Sequence, residues 1–454
     1  MSKHLIINAF TMNTVGHLST GLWRHPRDQS TRYTNLRYWT DLARTLERGL
    51  IDGLFIADVL GVYDTYGGNA DAALTHAAQV PVNDPLQLVP AMASVTTHLG
   101  FGVTASVNFE HPFPFARRMT TLDHLTDGRA GWNIVTSYLE SGARNLGQSA
   151  QIPHDQRYAI ADDYLEVCYK LWEASWAPGA VVADRERGIY ADPAQIHAIN
   201  HDGPFFRVPG FHLSEPSPQR TPVLFQAGAS LRGRAFAAAN AECVFVAAPT
   251  RTVLKKQVAD FRAAAVAAGR AGDDIRILEQ MTVIVAETDA AAQALLEDYR
   301  RYASGIGALT LMSGWTGIDF SRFSPDQVLE NVESDAIQSA VEAFTRADPS
   351  RRWTIAEIAE YCAIGGDGPV LVGSPATVAD QLEEWADETG VDGFNFASVV
   401  APETFTAIVD LLIPELQARG RFKRNYAEGT LRQKLFGRGD HLAAPHRAAG
   451  LRAR

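Results

Sequence analysis

Short apolar runs alternate with amphipathic stretches along most of the chain, the pattern that a repeating strand–helix unit imposes. Residues 4–12 (HLIINAFTM) predict a first strand. In 35–49, Leu36, Trp39, Leu42, Ala43 and Leu46 recur at helical spacing, and Gly49 supplies the stop. Further strands are predicted at 53–59, 99–107, 130–136, 222–228, 243–248, 275–286 and 392–397. Helices are predicted at 85–98, 113–126, 155–174, 230–241, 251–269, 287–304, 376–390 and 402–419. The alternation loosens over 175–220, rich in Pro, Gly and His, and over 305–366, which has helical pieces only. Unstructured stretches of that length inside a compact domain read as functional insertions.

Eight strands, each followed by a helix, match the number that closes a barrel around a filled interior. A doubly wound open sheet is the alternative. It commonly places a GxGxxG turn after strand one, where this chain reads MNTVGHLSTG. The predicted fold is therefore a TIM (β/α)8 barrel, α/β in class. It forms one domain over 1–418 with insertions at about 175–220 and 305–366, and a C-terminal extension at 419–454.

Composition narrows the picture. The chain has 454 residues, 46% hydrophobic and 20% charged, with formal net charge −11. Barrels with insertions reach this length as single domains. No broad basic stripe is present, which argues against nucleic acid. The one basic cluster, Arg419, Arg421, Lys423 and Arg424 followed by Arg447, Arg452 and Arg454, reads as a solvated tail. Cys168, Cys243 and Cys362 are isolated, with no CxxC spacing, so neither disulfides nor a zinc knuckle is expected. Residues 1–12 read better as a strand than as a signal peptide, and no apolar run approaches membrane-spanning length. The expected location is the cytoplasm.

In such a barrel the active site lies at the carboxyl ends of the strands. No His-x-His pair closes strand one, so a catalytic metal is not expected. Gly228-Ala229-Ser230 follows a strand and opens a helix, a place where free amides suit a phosphate. The same residues equally fit an ordinary turn and N-cap. His154 and Tyr158, four apart on a helix, are a second phosphate candidate, although such a pair is by itself more often ordinary surface. Asp58 ends an apolar strand, a depth at which a carboxylate needs a partner or a function. Thr104 and Ser106 alternate inward on strand three. No GxSxG elbow or Cys–His nucleophile is evident. Aromatic residues with polar tips and no nucleophile suit a bound cofactor that carries the reactivity.

Several ordered motifs together resemble the nitrilotriacetate/dibenzothiophene-sulfone monooxygenase family of the bacterial-luciferase type. They include Trp23-Arg24-His25-Pro26, Leu54-Phe55-Ile56-Ala57-Asp58, Leu122-Asp123-His124-Leu125-Thr126-Asp127-Gly128-Arg129, Gly131-Trp132-Asn133-Ile134-Val135-Thr136-Ser137 and Gln226-Ala227-Gly228-Ala229-Ser230. The likeness is dense over about 1–250 and looser to Leu431-Arg432. It implies the oxygenase half of a two-component enzyme, using FMNH2 from a separate NAD(P)H:flavin reductase and O2 through a flavin C4a-peroxide. It also implies a homodimer or homotetramer. By resemblance, Asp58 and Thr104 would contact the flavin ring, while His154, Tyr158, Ala229 and Ser230 would hold the phosphate. Phe10, His17 and Trp132 are expected around a small organic substrate: an aminopolycarboxylate, sulfone, thioether or similar molecule. An aminopolycarboxylate would call on basic residues such as Arg24, His25, Arg144 and Arg157. The segment 305–366 is a candidate lid. A deazaflavin-dependent oxidoreductase and a non-catalytic flavin-binding barrel are the alternatives.

Overall fold

The computed structural model describes residues 4–228, 230–329 and 352–452. Eight parallel strands form a closed ring: β1 (Ile6–Met12), β2 (Gly53–Ala57), β3 (Gly100–Ser106), β4 (Ala130–Val135), β5 (Val223–Gln226), β6 (Cys243–Val246), β7 (Arg276–Val285) and β8 (Gly393–Ala397). Each pairs with its chain neighbour, and β8 returns to β1 with Gly393 opposite Ile6. The open-sheet alternative is excluded, since no barrel strand has a free edge.

Two-residue alternation separates the two faces of each strand. Ile7, Leu54, Phe101, Trp132, Leu224, Val244, Ile277 and Phe394 face outward into one continuous core with the helices. Phe55, Phe225, Phe245 and Leu278 face inward and fill the lower barrel. There the rings of Phe225 and Phe245 stack at 5.4 Å, and Phe55 sits 4.1 Å from Phe245. Each buried ring contributes roughly 2–3 kcal/mol of transfer free energy. The helix Leu36–Arg48 shows how the outer layer is specified. Asn35 caps it by accepting from the Arg37 amide at 2.9 Å, and Trp39, Leu42, Ala43 and Leu46 are buried. Leu36, expected on that stripe, is exposed in the first turn.

The structure adds elements that the periodicity did not resolve. A ninth strand, Val370–Gly373, pairs with the second half of β7, Thr282 opposite Val370. The stretch 175–220 carries two short hairpins, and helices Gly305–Thr316 and Ile355–Cys362 stand in the second insertion. Residues 330–351 of the expected lid lie outside the described residues. The helix predicted at 85–98 ends at Ala93 after a 3-10 turn.

The tail is solvated only in part: Arg424 and Arg447 are exposed, but other tail residues pack on the barrel. Leu431 and Leu435 plug the amino-terminal mouth of the barrel against the Phe55/Phe225 cluster. Arg432, 2% exposed, grips buried Glu242 through Nε at 2.7 Å and Nη2 at 2.9 Å, and donates to the Thr221 carbonyl. Lys423 pairs with Asp52 at 2.8 Å, and Arg452 with buried Glu173 at 2.9 Å. Charge-run reasoning failed here because the partners lie far away in sequence, on the barrel floor. No described helix is long and apolar enough to cross a membrane.

Candidate active site

The carboxyl ends of the strands surround a cavity of about 340 Å³. That volume falls in the range of small-molecule and cofactor sites, about 300–1,000 Å³. Phe10, Phe55 and Phe245 form its floor, and Trp315 of the helix Gly305–Thr316 reaches its upper wall.

One corner, where the β4 and β5 units meet, gathers three polar side chains around small residues. Ser230 caps the helix Leu231–Asn240 by accepting from the Gly233 amide at 3.0 Å. Its Oγ lies 3.3 Å from His154 Nε2, at the start of the helix His154–Tyr169. One turn on, Tyr158 enters the same corner. Its phenol is raised by burial, against the opposing pull of Arg157 and Arg232, so it remains a proton donor. Space is kept by glycine: a Cβ at Gly228 would come within 2.8 Å of Tyr158 Oη, and one at Gly233 equally so. The two motifs that were ambiguous singly therefore converge on one place. Ala229 lies outside the described residues.

The strand ends next to this corner are polar but sparsely bonded. Asn133 Nδ2 donates to Thr104 Oγ1 at 2.9 Å, leaving the Thr104 proton for the chamber. Asn133 Oδ1, Gln226 Oε1 and Asn395 Oδ1 are buried and accept no hydrogen bond within the described protein. Buried acceptors of this kind call for a ligand with matching donors. With the glycine cradle, they fit a flavin: a planar heteroaromatic ring over the barrel and a phosphate in the corner.

Burial, reinforced by Asp84, pushes the Asp58 carboxyl up to about 7. Because the folded value exceeds the ordinary 3.8, its contribution to stability is complete below pH ~4 and is lost as pH rises through 7. Asp58→Asn is expected to remove that loss, which is bounded by about 4 kcal/mol. Urea unfolding at pH 5 and pH 8 checks it, and equal pH dependence in both proteins would contradict the assignment. His17 also lines the chamber, edge-on to Phe10 at 4.5 Å. Burial lowers its imidazole to about 3, so it is neutral at pH 7.

Trp132 is a correction. Asn133 points inward, so Trp132 points outward, where it packs on Phe115, Tyr164 and Trp172 and takes no part in the cavity. The basic residues considered for a carboxylate substrate are also otherwise engaged. Arg24 donates to the Tyr302 carbonyl, His25 meets Asp298 at 3.0 Å, and Arg144 pairs with Asp64 at 2.6 Å. Only Arg157 among them lines the cavity, with its guanidinium donating to the Ser137 carbonyl. Lining residues that sequence reasoning missed are Gln280, Trp315 and Asp367. The Gly-Gly-Asp-Gly run at 365–368 was the available signal for the last of these.

A closed parallel barrel with a polar, glycine-lined corner after β4 and β5 and a chamber above an aromatic floor fits the class of flavin-dependent barrel oxygenases. The family model for luciferase-like monooxygenases matches residues 15–393, and the chain belongs to that family. It is 50% identical to the dimethyl-sulfide monooxygenase of Hyphomicrobium sulfonivorans, covering 99% of this chain and 95% of that protein. The crystal structure of DmoA from that organism superposes with a TM-score of 0.93, covering 99% of this chain and 96% of that one. A long-chain alkane monooxygenase of Geobacillus thermodenitrificans is 47% identical over 98% of this chain and 99% of its own. A riboflavin lyase crystallised with modified FMN and riboflavin is 35% identical, with TM-score 0.93 and full coverage of both chains. The chain is a flavin-dependent monooxygenase, and its family uses reduced flavin and O2. Hydride transfer on deazaflavin and a non-catalytic role are thereby set aside.

Proposed function

We propose that the chain is the oxygenase half of a two-component system that binds FMNH2 delivered by a separate NAD(P)H:flavin reductase and oxygenates a small, neutral, largely apolar molecule of the thioether or hydrocarbon class. When bound, the reduced flavin supplies the electrons that activate O2. The protein's own tasks are to grip, to orient and to keep water out. Ser230, Tyr158 and His154 hold the phosphate. Asp58 and Thr104 border the ring. Phe10, Leu18, Trp315 and neutral His17 supply an apolar side to the chamber, which would limit the access of water to reactive species formed there.

The observation that carries the substrate class is the charge of the lining. Asp58 and Asp367 are its acids, and Arg157, beside the phosphate corner, holds the one permanent positive charge among the described lining residues. A polycarboxylate would be stripped of water beside two carboxyl groups, with the single guanidinium of Arg157, already donating to the Ser137 carbonyl, set against its several charges. The named substrates of the dimethyl-sulfide and alkane relatives support the same reading.

The test is turnover by the purified chain with a generic flavin reductase, NADH, FMN and 18O2. Thioethers or alkanes should gain one labelled oxygen, and nitrilotriacetate should remain unchanged. Oxidation of nitrilotriacetate in preference to the neutral compounds would overturn the substrate class.

A further inference from the structure

The helix Gly305–Thr316, which follows β7, comes down closely on the chamber. Ser304 caps it by accepting from the Gly307 amide at 3.0 Å. Two glycines set how near it can approach. A Cβ at 307 would fall 2.7 Å from the Thr20 side chain, and one at 314 would fall 2.2 Å from Tyr63 Cδ1. Both are points where the helix backbone itself is in contact, which only glycine permits. Leu311, Met312 and Trp315 then join Leu18, Tyr63 and Ile358 in one buried apolar cluster. The helix is a packed wall.

Trp315 is the residue of that wall that meets the chamber, and it is 8% exposed. Its indole is fixed at both ends. At the pyrrole end, Nε1 donates to Tyr63 Oη at 3.2 Å. Proton accounting makes that acceptor a fixed one. Gln79 Nε2 donates to the His17 carbonyl at 3.1 Å, so the amide is oriented with Oε1 toward Tyr63. That oxygen takes the Tyr63 proton at 2.9 Å, which leaves the Tyr63 lone pairs for the indole N–H. At the benzo end, the ring abuts the turn at Gly366. A Cβ there would fall 3.3 Å from Trp315 Cη2 and 3.1 Å from Leu18 Cδ2. Leu18 follows β1, which stands across the eight-strand ring from β5 and the Tyr158/Ser230 corner.

We propose that Trp315 is a specificity-determining residue, a fixed wall that ends the substrate compartment and confines it to short molecules such as dimethyl or diethyl sulfide. The assignment rests on the oxygenase reading, which puts the flavin ring beside Asp58 and Thr104 and leaves the Leu18/Trp315 side for the substrate. The chamber of about 340 Å³ has to take both. An indole held at Nε1 and at Cη2 cannot turn aside for a longer chain, and an apolar pocket of fixed size discriminates against a surplus methylene roughly tenfold or more.

Two measurements test it. The first needs no turnover: saturation-transfer NMR of dimethyl, diethyl and dibutyl sulfide with the FMN-loaded enzyme in the absence of O2. Wild type should bind the two short sulfides and not dibutyl sulfide, whereas Trp315→Leu should bind all three. Equal binding of dibutyl and dimethyl sulfide by wild type, or binding of neither, would overturn the proposal without recourse to any variant. The second is steady-state turnover of the same compounds with a flavin reductase. In wild type, kcat/KM for dibutyl sulfide should lie at least about tenfold below that for dimethyl sulfide. Trp315→Leu should bring the two within about threefold of each other, through KM rather than kcat. Trp315→Phe, which keeps an aromatic ring but loses the Nε1 donor, should fall between them. An unchanged chain-length profile in Trp315→Leu, at wild-type FMN affinity, would contradict the proposal. Sulfides that bind as expected but gain no oxygen would instead count against the oxygenase reading, with the binding result still standing.

Discussion

The double variant Tyr158→Phe/Ser230→Ala is expected to bind FMN at least a hundredfold more weakly than wild type, while its affinity for riboflavin stays within about threefold. The two hydroxyls meet in one corner with His154 Nε2, 3.3 Å from Ser230 Oγ. Hydrogen bonds to a charged group are worth about 1.5–3 kcal/mol each, so losing two amounts to about two or more orders of magnitude. Riboflavin has the same ring and no phosphate, which isolates the corner from the rest of the site. The Phe and Ala side chains fit the existing space, whereas any side chain at Gly228 or Gly233 would collide with Tyr158. Isothermal titration with both ligands checks the expectation. Parallel losses for FMN and riboflavin would show that the hydroxyls shape the ring pocket instead.

Arg432→Leu is expected to destabilise the fold by roughly 3–5 kcal/mol, the cost of leaving one partner of a buried pair alone. Glu242 would keep its accessory bond from the Leu224 amide, at 3.0 Å, but lose both contacts to the guanidinium. The double replacement Arg432→Leu/Glu242→Leu should recover most of the loss, because no unpaired charge then remains. Burial alone would raise the Glu242 carboxyl, but Arg432 holds it below the usual range. The pair therefore stabilises the protein above pH ~4.5, and its contribution fades as pH falls below that value. Urea unfolding of the single and double variants at pH 7 and pH 4 reads both effects.

The barrel was legible because its strands obey a strict two-residue alternation and its helices a 3.6-residue one, and both periods survive in local sequence. The ninth strand was missed because Val370–Gly373 is four residues long and flanked by Pro and Gly, too short for either period to register. The tail was misread for a different reason. Arg432 is buried only because Glu242 waits 190 residues away, and no local window contains that information. At the site, the strand-end rule pointed to Asp58 and Thr104, which line the cavity, while His154, Tyr158 and Ser230 became a cluster only in three dimensions. Trp132 failed by one residue of register: aromatic character said pocket, and the phase of Asn133 sent it to the helix layer. Asp367 carried no periodic signal because it sits in a turn, where position is set by Gln280 and Thr282 of a strand some 85 residues earlier.

The central claim is that the flavin phosphate is gripped where the β4 and β5 units meet. A crystal structure of the FMN complex tests it directly. The account predicts the phosphate within hydrogen-bonding distance of Ser230 Oγ, Tyr158 Oη and His154 Nε2, with the ring beside Asp58 and Thr104. A phosphate lodged instead beyond β7 and β8, where many barrels of this fold hold theirs, would contradict it.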